Sequence, residues 1–304
     1  MRKLALREYL KVPRNPETLS RSLLRKLHGG YRERPHEYIS GDSFKAHCDL
    51  ELNLDNWYEV LMESRSELHC NFRFFVPGAP TSLVSFEIVE FLKLNPKYQF
   101  PNVTLVLHNG DHFPSVAELE FASSRFNRIY SVNWLGNSPK VYPIPIGLEN
   151  QGYLLNGVLE DYLRSRQKLM PLKDRPYKLL VCFSLHTNPI ERSEALRCAL
   201  KVSGVKVIDS PVTPKKYREL VRQSMYVLSP PGNGIDCHRT WEALFLGSIP
   251  IVKKSFWPFS KLQIGAKVIE DWSEVEMILI PEKREIVDDF FNSKYAKVDS
   301  WLRP

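Results

Sequence analysis

Short apolar runs alternate with amphipathic stretches through the second half of this chain, and that alternation limits the fold more than any other feature. The apolar runs have strand length and lie at 178–184, 205–210, 226–232, 249–254 and 266–271. The stretches between them have helical spacing and lie at 188–204, 213–224 and 237–247. Strands that alternate with helices form βαβ units with parallel pairing. The pattern therefore predicts a Rossmann-like layer.

The first half shows the same alternation with less regular spacing. Strands are predicted at 70–78, 102–111, 129–135 and 141–149, helices at 81–96 and 114–126, a linker at 164–177 and one long helix at 284–303. The 304 residues suit two domains. We expect an α/β protein with two Rossmann-like domains, at 1–165 and 166–285, that face a central cleft. A C-terminal helix is expected at 286–304, and one alternative is that it crosses back to the first domain.

Charge and cysteine usage restrict the partners and the compartment. The net charge of +7 fits nucleic acid, an anionic membrane or a phosphorylated small molecule, but the basic residues form no compact stripe, which disfavours nucleic acid. Five cysteines without CxxC spacing favour free thiols in the cytoplasm and disfavour structural zinc. No signal peptide or membrane span is expected. The basic segment 1–15 is either an ordinary surface helix or a peripheral contact with the inner face of an anionic membrane.

The stretch YVLSPPGNGIDCHRTWEALFLGSIPIV at 226–252 carries the clearest chemical signal. It predicts a strand, a glycine-rich loop, a helix capped by Asp236, and a second strand. A helix N-terminus after such a loop binds anions; Arg239 suits a diphosphate and Glu242 suits a ribose diol. The candidate donor-binding residues here are Gly232, Asn233, Gly234, Arg239 and Glu242. The alternative is a packed helix with an Arg–Glu pair on its surface.

A second candidate phosphate contact follows the strand at 178–184. Its loop brings Ser184, Asn188 and Arg192 to the start of the next helix, at the carboxyl end of a parallel strand, where α/β sheets bind ligands. The alternative for Arg192 is a solvated position on the helix surface.

The order Pro/Gly loop, Arg, Glu-Ala-Leu and Gly-x-Ile-Pro-Ile in 226–252 resembles the C-terminal signature of exostosin-like glycosyltransferases of bacterial or viral type. Two shorter stretches, at 39–49 and 140–150, also resemble relatives of that family. The resemblance implies a GT-B-like fold. It further implies that Arg239 contacts the donor diphosphate, that Glu242 holds the donor ribose and that Arg192 contacts the leaving diphosphate.

An inverting, metal-independent glycosyltransferase is the function that this resemblance implies. Its donor would be a UDP-sugar, with GDP-fucose as the alternative, and its acceptor a glycan or glycolipid hydroxyl in surface-polysaccharide or glycoconjugate synthesis. No cofactor or metal is expected, since Asp-x-Asp occurs nowhere. GxSxG, GxxxxGK[ST], HExxH and a dinucleotide-binding GxGxxG are absent too, which disfavours lipases, P-loop proteins, zinc proteases and dehydrogenases.

The catalytic base is expected on the first domain, across the cleft. HNGDH at 108–112 ends a predicted strand, so Asp111 or His112 is suited to take a proton from an acceptor hydroxyl. His108 and His112 are candidate acceptor contacts. Asp42 is the rival base. Turn formation after Asn-Gly is the alternative role for Asp111, and capping of a helix is the alternative for Asp42.

A non-catalytic carbohydrate- or nucleic-acid-binding protein is the rival from another functional class. The positive charge together with 13 Tyr, 6 Trp and 16 Phe favours it. Because the basic residues are scattered along the chain, this function ranks below the glycosyltransferase. A rise in the melting temperature with UDP or GDP would favour the transferase, and a rise with oligonucleotides only would favour the binding protein. The oligomeric state stays open.

Overall fold

A computed structural model describes residues 36–67, 69–79, 82–150, 156–278 and 290–302. Two parallel five-stranded sheets form its framework. In the first sheet the strands lie in chain order: β1 (Leu50–Glu51), β2 (Phe72–Pro77), β3 (Phe100–His108), β4 (Phe126–Ser131) and β5 (Val141–Pro143). The helices of this half are α1 (Gly41–Ala46), α2 (Trp57–Ser64), α3 (Val84–Leu94) and α4 (Val116–Ser123).

The second sheet has the order β10-β9-β8-β6-β7. Its strands are β6 (Tyr177–Cys182), β7 (Val205–Ile208), β8 (Ser224–Leu228), β9 (Ile249–Lys253) and β10 (Lys267–Ile269). The helices are α5 (Leu159–Arg166), α6 (Pro189–Ala199), α7 (Pro214–Arg222), α8 (His238–Phe245) and α9 (Val275–Ile278). The strand order reverses between β6 and β8, so the carboxyl ends of these two strands flank a crevice of the kind that binds ligands in open α/β sheets.

The predicted α/β class with two parallel sheets is confirmed, whereas several predicted elements are longer than those observed. The strand expected at 141–149 ends at Pro143, because Pro143 and Pro145 have no N–H to donate and Gly147 takes a positive φ of 68°. The linker expected at 164–177 begins inside α5 and includes a 3₁₀ turn at Leu172–Asp174. Helix α5 packs against α7 of the second half. The sequence prediction missed α2 and β1.

The long C-terminal helix is a wrong prediction for residues 290–302. This segment forms three 3₁₀ turns, at Phe290–Asn292, Lys294–Ala296 and Val298–Ser300. Besides the hydrogen bonds within these turns, its backbone also bonds to the first half: the Ile39 N–H donates to the Ala296 carbonyl (2.9 Å) and the Val298 N–H to that of Glu37 (3.0 Å). The end of the chain therefore does return to the first half, although not as a helix.

One hydrophobic core runs through both halves and this C-terminal segment. Phe44, Phe75 and Val106 of the first half share it with Trp241 and Phe245 of α8. The rings of Phe290 and Trp301 lie 5.9 and 6.2 Å from that of Trp241, between centroids. Burial of large aromatic rings is the main stabilising term of such a core, so α8 is anchored from both sides.

The buried carboxylate of Asp236 connects the two halves. Its Oδ2 accepts a hydrogen bond from the Ile146 N–H at 2.8 Å, and both of its oxygens accept from Trp241 Nε1 at 2.9 Å. The Asp236 N–H in turn donates to Asn133 Oδ1 at 3.0 Å. The expected helix-capping role of Asp236 is wrong: the N-cap residue of α8 is Cys237, and its side chain makes no capping hydrogen bond.

No helix within the described residues is long and apolar enough to cross a membrane. The basic segment 1–15 and residues 279–289, 303 and 304 lie outside the described part of the chain.

Asp236→Asn is expected to lower the free energy of unfolding by a pH-dependent amount, because it changes the hydrogen-bonded carboxylate that connects the two halves. Burial raises the pKa of Asp236 to about 6. Since the folded chain holds this proton more tightly than the unfolded chain, the stabilisation is present near pH 4 and is lost as the pH rises through about 6. The difference in free energy of unfolding between wild type and variant should therefore shrink by roughly 2 kcal/mol between about pH 4.5 and about pH 7.5.

Urea denaturation across that pH range measures this difference. Asp55→Asn, at an exposed position of the first half, is the matched control for the loss of a carboxylate. A difference between wild type and Asp236→Asn that is constant or grows with pH would contradict the assignment.

Candidate functional site

Arg192 joins the two loops that border the crevice of the second sheet. Its Nη1 donates to the Ser184 carbonyl after β6 (2.6 Å), and its Nε donates to the Pro231 carbonyl after β8 (2.8 Å). The side chain extends from α6 and only 5% of the residue is exposed. The alternative of a solvated helix residue is therefore wrong, and the guanidinium lies at the carboxyl ends of β6 and β8.

Arg239 approaches the same crevice from the first turn of α8. Its Nε donates to the Cys182 carbonyl at the end of β6 (3.1 Å). Its Nη1 is buried and has no hydrogen-bond partner. Both guanidinium carbons lie near the ring of Phe183, at 5.5 Å from its centroid for Arg192 and 5.2 Å for Arg239. The two predicted phosphate contacts are thus brought together.

The charges of these two arginines are not neutralised within the described part of the chain, where neither guanidinium forms an ion pair with a carboxylate. Burial and the neighbouring Arg239 lower the pKa of Arg192. Burying like charges without a counter-ion is unfavourable, and a diphosphate would supply both the opposite charge and the hydrogen-bond acceptors. The crevice is therefore complementary to an anion.

Other buried arginines of this half are satisfied by the protein itself. Arg218 donates to Asp161 Oδ2 at 2.8 Å and to Asn156 Oδ1 at 2.9 Å. Arg175 donates to the Met170 carbonyl, and also to the Ser224 carbonyl and the Ser248 hydroxyl at 2.8 Å each. The unpartnered Nη1 of Arg239 is therefore a specific property of the crevice.

Close packing explains the glycine-rich loop between β8 and α8. A Cβ atom on Gly232 would lie 2.6 Å from Arg192 Nη2, and one on Gly234 would lie 2.7 Å from the Asn133 amide. A side chain at either position would displace these groups. Asn188 Nδ2 also donates to the Gly232 carbonyl at 3.4 Å, so the residue that caps α6 contacts this loop as well.

Glu242 lies one turn further along α8 and is buried. Its Oε1 accepts hydrogen bonds from the Tyr162 hydroxyl (3.2 Å) and from Asn156 Nδ2. The alternative of a solvated Arg–Glu surface pair is wrong, because Glu242 is 4% exposed and pairs with residues of the segment that leads into and forms α5. A nearby carboxylate, Glu149, has its pKa raised by burial and by the charge of Glu242.

Asp111 faces the glycine-rich loop from the first half. It follows β3, and its Oδ2 accepts a hydrogen bond from Asn233 Nδ2 at 3.0 Å. Its N–H donates to the Ala79 carbonyl at 2.9 Å. The structure thus brings the predicted base into contact with a predicted donor-binding residue, across the two halves.

Asp42 lies elsewhere on the first half, in the first turn of α1. Its N–H donates to Asn150 Oδ1 at 2.9 Å, and Asn150 Nδ2 donates to Asn109 Oδ1 at 3.0 Å. The alternative that Asp42 caps this helix is wrong, since the Ser40 hydroxyl accepts the capping hydrogen bond from the Ser43 N–H.

The two candidate acceptor histidines differ in exposure. His112 is exposed, and its backbone pairs with Ala79. His108 is 1% exposed: its Nδ1 accepts from the Asn109 N–H (2.8 Å), so Nε2 donates to the Pro145 carbonyl (3.1 Å). Burial lowers the pKa of His108 to about 4, which keeps the ring neutral. With both nitrogens engaged, His108 positions neighbouring loops in this structure, and the expected direct contact with an acceptor is not available to it.

Three residues at this site were not singled out by the sequence reasoning. Phe183 lies within the predicted strand stretch 178–184 and directly follows the observed end of β6 at Cys182. His238, interpreted as an ordinary helix residue, donates from Nδ1 to the Gly147 carbonyl of the first half at 2.7 Å. Tyr217 of α7 has a buried hydroxyl close to Glu242, and no motif in the sequence marked it.

Within the described residues, no group of three or more His, Cys, Asp or Glu side chains is arranged to hold a metal ion. No protein-family model matches the chain, and no curated protein matches it significantly.

Proposed function

We propose that the protein is an inverting glycosyltransferase of GT-B type that uses a nucleoside-diphosphate sugar, with a UDP-sugar as the favoured donor. The observation that carries this proposal is the pair formed by the buried Arg192 and by Arg239, whose Nη1 is buried, at the strand-order reversal of the second sheet, with no carboxylate counter-ion among the described residues. The resemblance of 226–252 to exostosin-like enzymes supports the same donor class.

Leaving-group stabilisation is the role of the crevice in this proposal. Negative charge develops on the diphosphate as the bond from the anomeric carbon to its oxygen breaks. Arg192, Arg239 and the N-terminal amides of α8 stabilise that charge by preorganised donors in a buried setting, a contribution that is worth most where water is excluded. Glu242, which already accepts two hydrogen bonds through Oε1, holds the ribose.

Acceptor activation is the role of the facing half. Asp111 takes the proton of an acceptor hydroxyl, the acceptor oxygen forms a bond to the anomeric carbon, and the nucleoside diphosphate leaves with the electron pair of the broken bond. The position of Asp111 beside Asn233 of the donor loop supports this role. The acceptor class that we propose is a glycan or glycolipid, with His112 exposed at the same edge.

Arg239→Gln is expected to abolish most of the turnover while the chain stays folded. Removal of one preorganised donor to a developing charge typically costs about 100- to 1000-fold in kcat. Hydrolysis of a panel of nucleotide sugars measures turnover, and the thermal shift induced by UDP and GDP measures binding. Arg197→Gln, on the exposed face of α6, is the matched control; equal activity of both variants would refute the proposal, as would a thermal shift with oligonucleotides only.

Asp111→Asn is expected to lower kcat by about 100-fold or more, the usual effect of losing a general base, and to leave the UDP-induced thermal shift unchanged. Asp42→Asn is the comparison, because Asp42 is the rival base. If Asp42→Asn loses turnover and Asp111→Asn keeps it, the base has been assigned to the wrong residue.

EDTA is expected to leave activity unchanged, because two guanidinium groups supply the positive charge at the diphosphate in this proposal. Donor hydrolysis with and without the chelator is the measurement. Complete loss of activity that manganese restores would contradict a metal-independent mechanism.

A further inference from the structure

Two asparagines at the ends of neighbouring strands take an unusual backbone conformation. Among the described residues, the non-glycine positions with a positive φ are Asn109 (56°), after β3, and Asn133 (58°), after β4. This left-handed conformation is uncommon outside glycine and recurs at functional sites. Asn109 Oδ1 accepts a hydrogen bond from Asn150 Nδ2 of the same half at 3.0 Å. Asn133 Oδ1 instead accepts from the Asp236 N–H of the second half, also at 3.0 Å, so this side chain joins the two halves.

Asn133 also packs against the glycine-rich loop itself. A Cβ atom on Gly234 would lie 2.7 Å from both Nδ2 and Oδ1 of Asn133, so the amide group is in direct contact with the backbone at this position. Asn133 is half-buried, and its amide meets the loop at Gly234 and at Asp236. These two contacts hold the end of the loop from the side of the first half.

The start of the glycine-rich loop is held by the second half. The Pro231 carbonyl accepts a hydrogen bond from Arg192 Nε at 2.8 Å. Within the loop, the Gly232 N–H donates to the Gly234 carbonyl at 2.9 Å, which makes the turn between them tight. Asn233 lies at the apex of this turn, so its position depends on both ends of the loop.

Asn233 is the point where the loop meets the proposed base. Its Nδ2 donates to Asp111 Oδ2 at 3.0 Å, in a contact that is exposed to solvent. An exposed hydrogen bond contributes little by itself, because water competes for both groups. The alignment of Asp111 with the loop therefore needs support from a more protected contact, and the half-buried amide of Asn133 supplies one.

We propose that Asn133 is a positioning residue that holds the glycine-rich loop in place, so that Asp111 of the first half stays aligned with the diphosphate-binding groups of the second half. This inference rests on the proposed function, since it takes Asp111 as the base and the crevice as the diphosphate site. Asn133 acts through the loop and does not itself touch the reacting atoms.

Diphosphate binding by itself does not require Asn133. The guanidinium groups of Arg192 and Arg239 donate to carbonyl groups of the second half, after β8 and at the end of β6. The start of α8 keeps its connection to the first half without the Asn133 amide, because the Ile146 N–H donates to Asp236 Oδ2. Loss of the amide should therefore separate turnover from binding of the diphosphate.

Asn133→Gly tests the inference, because glycine keeps the positive φ at no steric cost and removes the amide. The kcat for hydrolysis of the nucleotide sugar that the wild type turns over fastest is expected to fall by about 10- to 100-fold, since a displacement of roughly 1 Å between reacting groups is enough for such a loss. The affinity for inorganic pyrophosphate, measured by calorimetry, is expected to stay unchanged. Asn137→Gly, at an exposed position between β4 and β5, is the matched control and should equal the wild type in both measurements.

A double variant shows whether Asn133 acts through Asp111. Residues that act as a unit give losses that do not add, whereas independent effects on the reaction multiply. Once Asp111→Asn has removed the base, the alignment of that side chain no longer matters. The variant with both Asp111→Asn and Asn133→Gly is therefore expected to turn over about as fast as Asp111→Asn alone.

The outcomes separate this inference from the proposed function. If the wild type hydrolyses no nucleotide sugar, the proposed function and this inference both fail. If the wild type is active and Asn133→Gly is equally active, the role of Asn133 is wrong while the proposed function stands. The role is also wrong if Asn133→Gly loses pyrophosphate binding together with turnover, or if the losses of the two substitutions multiply in the double variant.

Discussion

The hydrogen bond from the Ile146 N–H to the buried Asp236 carboxylate is the contact on which the site depends. It fixes a loop after β5 of the first sheet against the residue that precedes the N-cap of α8. Trp241 donates to the same carboxylate and lies in the core that both halves share. The first turn of α8, and Arg239 with it, is therefore held between the two sheets.

The arginines of the second half are of two kinds. Arg218 and Arg175 have protein acceptors for their donors and stabilise the packing of α5, α7 and the sheet. Arg192 uses carbonyl groups to join two loops, and Arg239 keeps one donor unsatisfied in the crevice between them. Folding thus places positive charge at a point where the described part of the chain supplies no carboxylate to neutralise it. The energetic cost of that arrangement is the physical reason to infer an anion there.

The second sheet was more predictable from sequence than the first. The apolar runs of β6, β8 and β9 are continuous, as expected for strands of a parallel sheet buried on both faces. Helices α7 and α8 have a clear helical period. The strand predicted at 141–149 was too long, because its prolines and the positive φ of Gly147 end the strand despite its apolar content. The helix prediction for 290–302 was wrong because the backbone of this segment pairs with residues 37–39, a tertiary contact that no local pattern reveals.

The residues of the candidate site also differ in how far their placement could be predicted from the sequence. The placement of Arg192, Arg239 and the glycine-rich loop around one crevice was predictable, because each lies in a short stretch that directly follows a predicted strand. The capping role expected of Asp236 failed because its carboxylate accepts from the distant Ile146 N–H and from the Trp241 indole instead. His108 was misjudged because its burial depends on the loop at Pro145. Tyr217 was missed for the same physical reason: the burial of its hydroxyl near Glu242 is a tertiary contact that no local pattern reveals.

A crystal structure of the chain with bound UDP tests the central claim most directly. The account predicts that the diphosphate lies in the crevice between β6 and β8, with phosphate oxygens within hydrogen-bond distance of the guanidinium groups of Arg192 and Arg239. UDP bound elsewhere on the molecule, or a crevice in which both guanidinium groups remain without an anion at saturating UDP, would contradict it.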